Sequence, residues 1–476
     1  MISSISWIPK GVSKPVLLVD DPSQEEDLEE NIPLQSSEST NKDEDVVDLK
    51  SLPVNNVVRD NIIQALKDLH MERYDDEDET SDLYYPHNNM DPYLKDQNDS
   101  DSEELENMTI YPTDSVIVCA RTRVKKVEGS DNEDSFGVVE VWIREDREKN
   151  MFLHHVIEIS ALPLCTAWLD CPLQGGERGN FLAVGSMEPN IEIFNVDVIT
   201  RDGKGKPCMV LGSTEDVKKK GKLKSTKYKN DGHSDSVLGL AWNKEYRNII
   251  ASASADKKVK IWDVVSGKCE ITMGHHTKEV QAVAWNHHSP WVLLTGSFDG
   301  TVFLKDGRIP SHDGCKWKLN AKVESLAWDP HSEHSFVVSL ENGTVRLIDV
   351  RTAKSDSTEL RATSTIEAHN NKACTSVSYN LSAPNLLATG SEDETVTVKA
   401  LPLFVYSAGA VKLWDLSHNQ PSCVASYSPE VGSVYSVSFS EDNPFLLAIG
   451  GSKGNLRVWD TQSYSGISQK YGNYMK

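Results

Sequence analysis

The chain has 476 residues, 38% of them apolar, and a formal charge of -23 at pH 7. That length suits two or three ordinary domains, or one large ring of repeats with an accessory segment. The charge is localised: residues 20–106 hold 28 acidic and 6 basic residues, which leaves the remainder close to neutral and excludes acidity as a property of the folded body. The eight cysteines are scattered without a Cys-x-x-Cys pair, the pattern of reduced core thiols rather than of disulfides or zinc ligands. With no run of 18 apolar residues and no leader-like N-terminus, the expectation is a soluble intracellular protein without membrane contact.

In chain order, residues 1–19 open with Ile2-Ser3-Ser4-Ile5-Ser6-Trp7, an apolar alternation ending in tryptophan that predicts a strand. Residues 20–111 are rich in Asp, Glu, Ser and Asn and too polar to fold alone, so a mostly disordered acidic segment is predicted. Within it Val58, Ile62, Ala65, Leu66 and Leu69 recur at helical spacing, giving a short helix near 57–71 that would dock on its own fold or in a partner groove. Ser100 and Ser102, set among acidic residues, are phosphorylation candidates for an acidophilic kinase, the alternative being plain solvated serines. Val116-Ile117-Val118-Cys119, Val138 to Trp142 and Phe152 to Ile159 predict three strands that complete a unit split by the acidic insertion. A divergent unit follows around Trp168 and Phe194.

The loop 217–229 carries Lys218, Lys219, Lys220, Lys222, Lys224, Lys227 and Lys229 without one acidic residue. Lysines so dense repel one another, which favours a nuclear address, a non-specific RNA phosphate contact or the acidic segment as counter-charge over a merely solvated loop. Sequence-specific RNA reading is not expected, since no aromatics are interleaved.

Trp242, Trp285 and Trp328 then stand 43 residues apart, each ending a short apolar run. A period in the low forties marks one four-stranded unit in tandem, a β-propeller blade. The best-formed unit has His233, a strand serine at Ser252 or Ser254, Asp256 and Trp262. A buried indole and imidazole must find hydrogen-bond partners, and a chain through those side chains supplies them. Other units are decayed: Lys305 stands at the tryptophan place in the next, Asn342 and Ile348 replace aspartate and tryptophan in the one after, and Lys453 occupies the turn of the last, where Phe439 is the periodic aromatic. The unit of His369 and Asp393 is interrupted, because Trp414 follows Asp393 by 21 residues instead of 6. The apolar run 396–410, containing Pro402, reads as an in-frame insertion or as a long surface loop.

No P-loop, His-Glu-x-x-His or Gly-x-Ser-x-Gly motif occurs, so no enzyme activity, cofactor or small-molecule substrate is expected. The pairs His154-His155, His275-His276 and His287-His288 are expected to point to opposite faces and not to share a metal. Asp349-Val350-Arg351 is similar to the box with which some propellers engage a cullin ubiquitin-ligase adaptor, though its tryptophan is absent.

The His-Ser-Asp-Trp spacing resembles the WD-repeat family. The Ser-Trp start, split first blade, acidic insertion, polylysine loop and Ala-Ser-Ala-Ser-Ala-Asp that follows resemble, in that order, the periodic tryptophan protein 1 family within it. Counting strands, with residues 1–19 joined to the ring, gives an all-β, seven-bladed WD-repeat β-propeller over 112–470; six blades with a separate N-terminal piece is the alternative. The resemblance implies a nuclear and nucleolar scaffold in ribosome biogenesis, linked to ribosomal RNA production and large-subunit assembly, and in some members to chromatin. Its expected partners are pre-ribosomal factors, ribosomal proteins or histones.

Overall fold

In the computed structural model the described residues are 1–15, 18–20, 109–126, 133–173, 178–200, 204–212, 214–215, 227–228, 231–309, 311, 313–352, 362–392, 409–417 and 420–474. The expected helix near 57–71, Ser100, Ser102, Asp393 and residues 396–408 lie outside them. The chain divides into a first unit, Met1–Asp21 with Met108–Lys476, which holds all the described residues, and a second, Pro22–Asn107.

The first unit is a ring of seven antiparallel sheets. Blade 1 takes its innermost strand from Ile2–Ile8 and the other three from Ser115–Lys126, Glu133–Arg144 and Met151–Ile159. Blades 2 to 6 are four-stranded and begin at Pro163–Leu169, Val237–Trp242, Val280–Trp285, Val323–Trp328 and Cys374–Tyr379. Blade 7 has three strands, Val434–Phe439, Leu446–Gly451 and Leu456–Asp460. Innermost strands pack side by side around the ring, and that of blade 7 returns to Ile2–Ile8.

All seven innermost strands carry a β-bulge at the same place, Ile2/Ser4 in blade 1 and Val237/Gly239 in blade 3 for example. A bulge adds local twist, and its repetition makes Ile2–Ile8 equivalent to the other six. The second strands of blades 2, 3, 6 and 7 are buried along their whole length, as in Ile249–Ser254 and Leu446–Gly451, and read as continuous runs of apolar and small residues. They include glycine where the next blade presses closest. A methyl group on Gly185, Gly296 or Gly390 would lie 2.8, 2.5 or 2.7 Å from Val237, Val323 or Val434, and on Gly450 2.5 Å from Ile2. The contact that spaces successive blades thus also joins the two ends of the ring.

Blade 6 closes across its interruption. Its third strand is Val411–Asp415, with Gly390 opposite Val411 as Ala253 is opposite Val259 in blade 3. Ala410 is buried and its carbonyl accepts from Ser391 N, 3.1 Å away. A C-terminal helix, Ser465–Tyr471, was not among the sequence expectations. It buries Ile467 and Tyr471, an i, i+4 pair too short to stand out as a periodic pattern.

Candidate protein-interaction surface

The periodic tryptophans end the innermost strands at one rim of the ring, and their indoles join blades. Trp285 Nε1 donates to Ala241 O at 3.0 Å and Trp328 Nε1 to Ala284 O at 3.2 Å, each reaching the residue before the previous blade's tryptophan. Trp7 Nε1 makes the same bond to Ser438 O at 3.0 Å, before Phe439, and so links blade 1 to blade 7. Trp168 and Trp242 instead donate within their own blades, to Asn180 Oδ1 and Arg247 O.

Asparagines just past the tryptophans add a second set of links. Asn243 Nδ2 donates to Pro290 O at 2.6 Å and Asn286 Nδ2 to Glu333 O at 2.9 Å, while each Oδ1 accepts amides of its own turn. At the closing seam Lys10 N donates to Asp442 Oδ2 at 2.8 Å, and Asp146 is met by Lys10 Nζ, Arg144 Nη1 and Asn443 Nδ2. Burial raises the Asp146 pKa, but Lys10, Asn443 and Arg144 outweigh it and hold the carboxyl below its usual range.

This rim encloses a depression of about 400 Å³ lined by Trp242, Trp285, Trp328, Tyr379 and Phe439. The residues two past those aromatics, among them Lys244, His287, Pro330, Leu381 and Glu441, form its border. Lys244 of blade 3 pairs with Glu441 of blade 7 across the opening. Aromatic walls under a mixed polar border suit a protein side chain or peptide segment.

In blade 3, His233 Nδ1 donates to Asp256 Oδ2 at 2.9 Å, Ser252 Oγ lies 2.7 Å from His233 Nε2, and Trp262 Nε1 donates to Ser252 Oγ at 2.8 Å. Ser254 donates instead to Asp235 O at 3.1 Å. Burial pushes the His233 pKa down against the pull of Asp256, so the imidazole is neutral and the chain runs Trp to Ser to His to Asp. Blade 6 repeats it through His369, Thr389 and Trp414. In blade 7 Ile449 stands at the serine place, and Trp459 Nε1 is buried without a partner among the described residues.

Blade 4 replaces the missing indole in another way. Lys305 occupies the tryptophan place, and His275 Nε2 donates to Thr295 Oγ1 at 2.9 Å, beside the 2.9 Å bond between Thr295 and His276 Nε2. His276 Nδ1 then faces Asp299, and both imidazoles pack on Phe303. His275→Phe should keep that packing but lose the donor, destabilising the protein by about 1 kcal/mol in urea unfolding. Adding Lys305→Trp to that variant should recover part of the loss; no change in either variant would refute the substitution of one donor for the other.

His275 and His276 therefore do not point apart, because they precede the strand Val280–Trp285 and escape its alternation. His154 Nδ1 and His155 Nδ1 also meet, at 2.8 Å. A bulge opposite Val141/Trp142 makes His154 an extra residue and brings both rings to one side. Among the described residues no group of three or more His, Cys, Asp or Glu is placed to hold a metal. No helix there is long and apolar enough to cross a membrane.

Of the lysine-rich loop, only Lys227–Tyr228 is described, pairing with Thr214–Glu215 in a two-stranded ribbon. Lys218, Lys219, Lys220, Lys222, Lys224 and Lys229 lie outside the described residues. Arg351 is exposed and its guanidinium folds back on Asp349, Nε to Oδ1 at 3.0 Å and Nη2 to Oδ2 at 2.6 Å. Arg308 and Asp306 make the same fork in blade 4, so the arrangement is a recurrent turn and not peculiar to blade 5.

The WD domain, G-beta repeat, family matches residues 224–263, 267–306, 360–398 and 421–460, the third match stopping inside the interruption of blade 6. An uncharacterized WD repeat-containing protein of Schizosaccharomyces pombe is 31% identical over 85% of this chain and 75% of its own length. Periodic tryptophan protein 1 of Saccharomyces cerevisiae is 27% identical over 99% of this chain and 90% of its own. A chain in the crystal structure of the mitotic checkpoint complex superposes with a TM-score of 0.50 at 16% identity, covering 74% of this chain and 84% of that one, a likeness of fold alone.

Proposed function

We infer that this chain, which belongs to the WD-repeat family and is a homologue of periodic tryptophan protein 1, acts as a non-enzymatic scaffold in ribosome biogenesis, in the nucleus and nucleolus. The observation that carries the reading is the division of charge. A near-neutral ring carries an insertion that holds almost all of the chain's net negative charge. The ring presents fixed surfaces to protein partners, including the aromatic depression between Lys244 and Glu441. The acidic segment screens a basic client, a ribosomal protein or a histone, before assembly, and the lysine-rich loop contacts RNA phosphates without reading sequence.

Deleting residues 22–107 should leave the ring folded while abolishing retention of a purified basic ribosomal protein or histone at physiological salt. Undiminished retention by the deletion variant would remove the client-screening role. Ser100→Glu with Ser102→Glu should strengthen retention if phosphorylation acts there by charge.

A further inference from the structure

Six blades have four strands, whereas among the described residues the third strand of blade 7, Leu456–Asp460, is paired on one side only, with Leu446–Gly451. The C-terminal helix does not pair with that edge: Tyr464 at its start packs on Trp459, and beyond it Lys470 pairs with Asp415, the Tyr471 hydroxyl donates to Asp415 Oδ1 at 2.8 Å, and Gly466 abuts Val424, these last three in blade 6. We propose that this edge accepts an antiparallel strand from a partner protein, with the pattern apolar, then acidic or hydroxyl-bearing, then large apolar.

The protein's own blades supply the template. Opposite the place of Leu456, the outer strands set Met273, Trp317, Ile366 and Tyr427, facing Val259, Val302, Val345 and Val411. Opposite the place of Val458 they set Ile271, Cys315, Ser364 and Ala425, which are smaller. Between these, wherever the third strand has a basic residue, the partner is a hydroxyl: Lys260 faces Thr272, Arg346 faces Thr365 and Lys412 faces Ser426. Lys260 Nζ donates to Thr272 Oγ1 at 2.9 Å. Arg457 is the equivalent residue in blade 7 and is exposed, so a carboxylate or hydroxyl in the incoming strand complements it.

An open row of backbone donors and acceptors supplies affinity for any extended segment, and the alternate side chains supply selection. Binding at this strand edge is independent of the acidic segment and its clients.

The probe is a fluorescein-labelled peptide of residues 266–274 with Glu in place of Thr272 (T272E), titrated with the full chain and followed by anisotropy. Saturable binding is expected. Arg457→Glu, an exposed change that should leave the circular dichroism unaltered, should weaken it about tenfold, and the T272K peptide should bind that variant better than the parent protein. Equal affinities in all four combinations, or no saturable signal, would overturn the proposal. So would a dimer of the full chain that Arg457→Glu dissociates, because a second copy would then occupy the edge.

Discussion

Trp7→Ala is expected to destabilise the ring more than Trp285→Ala does, although the two indoles make the same bond. Removing either leaves a buried void, with losses of about 3–5 kcal/mol for large-to-small core changes, and an unpaired carbonyl worth about 1–3 kcal/mol more. Blades 3 and 4, joined by Trp285, are also covalently consecutive. Blades 1 and 7, joined by Trp7 to Ser438, have no such chain link and rely on contacts such as Ile2 on Gly450, the Lys10 amide with Asp442 and Asn443 with Asp146. Hydrogen exchange should therefore rise sharply in both Ile2–Ile8 and Val434–Phe439 in Trp7→Ala, and stay near the parent level there in Trp285→Ala. Equal protection of that seam in both variants would show that closure does not depend on Trp7.

Acidification is the second large effect. His155, His275 and His369 have pKa values pushed down to about 3 by burial, reinforced by His154, by His276 and Lys305, and by Lys412 respectively. In the unfolded chain each titrates near 6.5. Below that pH the unfolded chain binds protons that the folded ring refuses, so this stability is complete above 6.5 and declines as pH falls toward 3. The decline is about 1.4 kcal/mol per pH unit for each histidine, or about 6 kcal/mol for the three at pH 5. Glu324 works in the opposite sense. Burial, then Glu341 and Glu392, raise its pKa to about 7, so the folded state takes up its proton first and recovers part of the loss between pH 7 and 4.5. The urea midpoint should fall steeply below pH 6.5, and more steeply in Glu324→Gln. A midpoint constant from pH 7.5 to 5 would contradict neutral buried imidazoles.

The ring itself was legible because its signal is periodic. Trp242, Trp285 and Trp328 repeat at 43, and the alternation ending at Trp7 matches theirs. What those indoles bond to was not legible, because their acceptors are backbone carbonyls some 44 residues away, which leave no trace in side-chain identity. The pressure of Ile2 on Gly450 is hidden for a related reason, since a glycine in a strand reads as a break until its neighbour is known. Lys305 is visible in the sequence as a loss, but its compensation by His275 is not, since strand alternation does not govern histidines that lie before the strand.

The closing of blade 1 across the acidic insertion bears on how the protein is made. Ile2–Ile8 emerges from the ribosome more than four hundred residues ahead of Val434–Phe439, the strand it must finally lie against. At about 5–20 residues per second, that wait lasts roughly 20 to 90 seconds. Throughout it a nascent apolar strand has a free flank, and translation of the last blade sets the moment at which that flank is covered.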